Sequence, residues 1–92
     1  MEIDAAYNEL NEHLNRIHQL GTIGQLLGWD EQVNLPGDSA DQRAAQHAVL
    51  AEAAHTAAAN SRLGEVLAAL ETEPVALSEA QQVVVREARR DY

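Results

Sequence analysis

The stretch LGTIGQLLGWDEQV, from Leu20 to Val33, places three glycines, the only tryptophan and an aspartate in one apolar run. It restricts the possible fold more than any other part of the chain. Upstream, Ile3, Ala6, Tyr7, Leu10, Leu14 and Ile17 recur every three or four residues and predict one helix from about Asp4 to Asn34. At about 100° per residue, that stripe continues into Gly21, Gly24 and Gly28. Leu20, Ile23, Leu26, Leu27, Trp29 and Val33 fall on the opposite arc. The second half of the helix is therefore bulky on one side and bare on the other. Each interior glycine costs about 1 kcal/mol relative to alanine, so three of them need a reason. Close approach of another backbone on the bare side supplies one. A helix that needs burial on two sides belongs inside something larger. The competing reading is a helix kinked or broken near Gly21.

Asp30 projects into the bulky arc, between Leu26 and Ile23. A lone buried carboxylate is costly, so pairing is expected. The six basic residues are all arginines, and Arg86, Arg89 and Arg90 lie in the last seven positions. One of these, or the amides at a helix start, is the expected partner. The contact is read as architectural, because no second acid or base accompanies it.

Three further helices are expected. Pro36-Gly37 stops the first. Ser39 and Gln42 form a capping-box pattern that opens an alanine-rich second helix to about Ala59. Ser61 is read as the cap of a short third helix using Leu63, Val66, Leu67 and Leu70. TEPVAL breaks that pattern, and Ser78 with Gln81 forms another capping box opening the fourth. Val83–Val85 is β-prone but follows a cap and precedes helix formers, so it is read as helix. The fourth helix reaches Tyr92 with no stop signal and reads as cut, as though the native chain went on. The fold class is all-α: about four helices in a single segment, 1–92, that suits part of a larger helical protein.

The apolar content is largely alanine, with no phenylalanine, so only a thin core is available. No cysteine is present, which excludes disulfides and thiolate metal sites. The formal charge of −9, from 15 acidic and 6 basic residues, argues against nucleic-acid and anionic-membrane partners. No run has transmembrane length and the N-terminus does not resemble a signal peptide, so a cytoplasmic location is expected.

No residue set carries chemistry. His13 and His18 are five apart and His47 and His55 eight apart, neither matching the spacing of H-E-x-x-H. All four are read as solvated helix histidines. Asp30-Glu31, Asp38 with Asp41, and Glu71 with Glu73 lack a nucleophile or acid partner. Ser39, Ser61 and Ser78 occupy cap positions, and no phosphate loop, calcium loop or nucleophile elbow is present. No catalytic, cofactor-binding or metal-ligating residue is assigned to this chain.

Three blocks carry a family resemblance. They are HLNRIHQLGTIGQLLGWDEQVNLPGDSADQRAAQHAVLAEAAH, LGEVLAAL and LSEAQQVVVREARRDY. In order and spacing they resemble the N-terminal region of the carboxypeptidase Taq family. The most specific pieces are Leu27-Gly28-Trp29-Asp30 leading to Leu35-Pro36, and the Arg-Arg-Asp-Tyr ending at Tyr92. The resemblance implies a nearly all-helical, usually homodimeric metallocarboxypeptidase with zinc (or cobalt) held by an H-E-x-x-H motif far downstream. None of its metal or catalytic residues maps onto this chain. Gln32 stands where the family commonly has glutamate, and one proline follows Leu35 where two are frequent. The expected role is a scaffold and groove-wall segment, not catalytic by itself. The alternative is a free-standing interaction or oligomerisation module descended from that region. Gly21, Gly24, Leu26, Gly28, Trp29, Asp30, Val33, Arg86, Arg89 and Arg90 are the candidate structural or contact residues. The expected partners are the remainder of the peptidase or a second copy, meeting near Leu26, Trp29 or Val33.

Overall fold

A computed structural model gives the architecture. It describes residues 2–34 and 40–92, with side chains for 2–29 and 41–92. Among the described residues four α-helices follow one another: α1 Ile3–Asn34, α2 Ala40–Ala58, α3 Ser61–Glu71 and α4 Glu79–Asp91. A 3-10 turn, Pro74–Ala76, bends the chain between α3 and α4. No strand occurs among the described residues. Ser39, the cap of the expected Ser39–Gln42 box, lies outside them.

α1 runs unbroken through all three glycines, and none of them adopts a positive φ. The break considered near Gly21 does not form. Helical φ costs glycine only its entropy, and the flanking leucines and isoleucines favour the helix enough to carry it.

The third helix starts one residue earlier than the serine suggested. Asn60, not Ser61, is its cap: the side-chain Oδ1 accepts from the Arg62 amide at 2.8 Å. Asn and Ser cap comparably well, so adjacent capping residues leave the boundary open by one position. At α4 the capping box forms as the spacing predicts. Ser78 Oγ accepts from the Gln81 amide at 3.1 Å, and Gln81 Oε1 accepts from the Ser78 amide at 2.9 Å. With its first turn fixed, Val83–Val85 continues as helix. Gln82 Nε2 donates to the carbonyls of Pro74 and Leu77 and ties the turn to α4.

The core lies at one end of the molecule. Ala6 and Leu10 of α1 meet Leu63, Val66, Leu67 and Leu70 of α3, with Leu77, Val85 and Ala88 closing the far side. Ile3, Tyr7, Leu14, Ile17 and Val84 pack around it. The stripe read from the first half of α1 is thus its core face. The second half of α1 extends beyond this cluster and is accompanied by α2, in which Ala57 is the buried apolar residue. The result is elongated, 56 × 22 × 19 Å, with a radius of gyration of 17.1 Å. A compact domain of this length has about 12 Å.

Candidate interaction surface

The projecting half of α1 shows most of what the sequence singled out. On the bulky arc Ile23, Leu26 and Trp29 are exposed, Leu26 by 62% and Trp29 by 60%. Leu20 and Leu27 are half-buried. Ile23 and Leu27 line a shallow apolar groove with Gln46, Val49, Leu50 and Ala53 of α2. Val49 is itself 68% exposed. The apolar patch therefore spans both helices. Large exposed apolar patches mark contact surfaces.

On the glycine arc, a Cβ at Gly24 would meet the Leu50 side chain at 3.4 Å, an ordinary contact. Cβ atoms at Gly21 and Gly28 would meet nothing within 4 Å. The described residues therefore bring no backbone close to this stripe. Asp30 and Val33 have side chains outside the described residues, as do Glu31, Gln32 and Leu35-Pro36.

The three C-terminal arginines differ from one another. Arg89 makes a two-point ion pair with Glu71, Nε to Oε2 at 3.0 Å and Nη2 to Oε1 at 2.7 Å. The pair holds α4 against the end of α3 and raises the Arg89 pKa, chiefly through the Glu71 hydrogen bonds. Arg90 is exposed and lies 3.5 Å from its neighbour Asp91. Arg86 is exposed at the rim of a hollow formed with Leu70, Leu77 and Val85.

One polar cluster escaped the sequence reading. Arg62 Nη2 donates to Glu9 Oε1 at 2.9 Å, and its Nε donates to Glu9 Oε2. Arg62 Nη1 donates to Glu65 at 3.2 Å, and His13 Nε2 lies 3.6 Å from Glu9. The Arg62 hydrogen bonds hold the Glu9 carboxyl below its usual pKa and push Arg62 further up. A signal did exist: Arg62 sits in the first turn of α3, where a cation opposes the helix dipole and needs a partner elsewhere.

His18 and His55 are exposed, and His47 is half-buried on α2. No group of three or more His, Asp or Glu able to hold a metal ion occurs among the described residues. No described helix is long and apolar enough to cross a membrane. What remains is an all-helical segment with a core at one end and an open apolar arm at the other.

Such a segment is defined by what it packs against. The chain belongs to the carboxypeptidase Taq (M32) metallopeptidase family, whose model matches residues 9–92. It is similar to thermostable carboxypeptidase 1 of Thermus thermophilus, 36% identical over 95 residues. All of this chain is covered, but only 18% of the relative. The match lies in the N-terminal part of that relative. No solved structure matches.

Proposed function

We propose that this chain is a scaffold and groove-wall segment of a metallocarboxypeptidase that removes C-terminal amino acids from peptides. Catalysis and the metal, zinc or cobalt, reside in the remainder of such an enzyme. The described residues do not form a donor set for the ion, so no step is assigned to them. The family match supports the reading. The observation that carries it is the projecting half of α1, open on both arcs: Ile23, Leu26 and Trp29 on one, Gly21 and Gly28 on the other. A two-sided opening suits an element enclosed by more chain. The reading includes a cytoplasmic location and no nucleic-acid partner, in keeping with the charge of −9.

Trp29→Glu in a family-length enzyme carrying this segment tests it. The expected result is a lower melting temperature, with peptidase activity lost on heating before that of the parent. Unchanged melting and unchanged activity would overturn the role. A second reading is favoured by the same patch: the segment alone associates with another copy through Leu26, Trp29 and Val49.

A further inference from the structure

The Arg-Arg-Asp-Tyr ending is among the most specific family pieces in this sequence, and the scaffold role alone assigns nothing to it. Its residues are not equivalent. Arg90 and Asp91 face solvent. Arg89 and Tyr92, one helical turn apart, face α3. Their counterparts on α3, Gly64 and Glu71, are seven residues apart and so share one helical face.

The contacts fit together as a unit. The Tyr92 ring lies against the backbone of Gly64. A Cβ built on Gly64 would stand 2.6 Å from the phenol oxygen and 3.0 Å from Cζ. A side chain at position 64 would displace the ring, whose Tyr92 is otherwise 46% exposed. The Arg89 guanidinium lies 5.7 Å from the centre of the same ring, within cation–π range. That guanidinium is held in turn by both oxygens of Glu71. Gly64 has an ordinary helical backbone with no positive φ, so conformation does not require glycine. Within a helix, glycine is less stable than alanine. What glycine provides at this position is space for the ring.

We infer that Gly64, Tyr92, Arg89 and Glu71 form a clasp in which a tyrosine seated in a glycine notch, braced by an arginine–glutamate pair, fixes the end of α4 on α3. The clasp acts at both ends of a two-turn span of α3, so it sets the angle between the two helices as well as their contact. The apolar contacts of Val85 and Ala88 in the core hold the helices together, and the clasp adds a fixed point at the very end of α4. For a wall segment, the angle is what positions the rest of the wall. The clasp goes beyond the scaffold reading and is tested in this chain alone.

The test is a double-mutant cycle between Gly64→Ala and Tyr92→Ala, read by chemical denaturation of the 92-residue chain. With Tyr92 replaced, the notch is empty and alanine at 64 gains its full helix preference, about fivefold in the folding equilibrium constant. With Tyr92 present, the same substitution evicts the ring, and the gain shrinks or reverses. Equal effects in the two backgrounds would overturn the clasp. A second measurement needs no variant. Proton NMR of the parent chain is expected to show contacts between the Tyr92 ring and the Gly64 α-protons. Absence of those contacts would also overturn it. Arg89→Gln is expected to loosen the ring and weaken these NMR contacts. Undiminished contacts in that variant would remove Arg89 and Glu71 from the device. None of these readouts depends on peptidase activity, so failure of the clasp is distinguishable from failure of the scaffold reading.

Discussion

Glu9 accepts from one arginine 53 positions away and has a histidine beside it, yet remains partly exposed. Its carboxyl is held below its ordinary value near 4.5, chiefly by the Arg62 hydrogen bonds. A carboxylate with a depressed folded pKa stabilises the fold above its unfolded pKa. That contribution is lost as pH falls through the lower, folded value. Acidification below about pH 4.5 is therefore expected to lower the melting temperature of the parent chain more than that of Arg62→Gln. Melts followed by circular dichroism from pH 7 to pH 3 give the comparison, and parallel curves would contradict it. Core residues behave differently because their loss leaves a cavity. Leu67, fully buried at the α1–α3 contact, is expected to cost about 2–5 kcal/mol on Leu67→Ala, measured by urea unfolding. Leu67 was legible from its helical spacing. The Glu9–Arg62 pair was not, because periodicity on one helix does not say which charged rims of two helices meet.

Among the elements, caps and spacing carried most of the fold. The capping box at Ser78, the stripe of α1 and the apolar positions of α3 each state a local preference that the packing keeps. The glycines of α1 are the exception. Local sequence shows that their face is bare, but what approaches it depends on chain beyond the helix. Gly21 and Gly28 have open space and helical backbone, so Gly21→Ala and Gly28→Ala are each expected to stabilise the 92-residue chain by about 0.5–1 kcal/mol. Gly24→Ala is expected to gain less, since its Cβ must fit beside Leu50. If a neighbouring backbone fills the stripe in a family-length enzyme, the same substitutions destabilise that enzyme. Opposite signs in the two contexts, read by denaturation, would show what the glycines are for. Equal gains in both would leave them without a packing role. The contact proposed for Asp30 falls outside the described residues, and Arg89, one of its candidate partners, is paired with Glu71.

At the scale of the whole molecule, shape and charge pull in different directions. The core occupies one end, and the α1–α2 arm carries Ile23, Leu26, Trp29 and Val49 into solvent. Burying such side chains is worth about 1.5–3 kcal/mol each, which favours association with anything that covers them. The net charge of −9 opposes a second copy. At physiological salt, however, repulsion is screened beyond about 8 Å, while the patch acts on contact. The stretch from Leu20 to Trp29 carries no charged residue, so a contact centred on it does not bring like charges of α1 directly together. The isolated chain is therefore expected to form a dimer or higher oligomer at tens of micromolar, with two arms pairing into a bundle. Sedimentation equilibrium over a wide concentration range measures this directly. Trp29→Glu is expected to weaken the association by about tenfold or more, as for a central aromatic in an interface. Glu79→Gln, on the far end of the molecule, should leave it unchanged. A strictly monomeric parent chain would mean that the arm is too narrow for two copies to cover each other, and that only the enclosing body of a larger enzyme buries it.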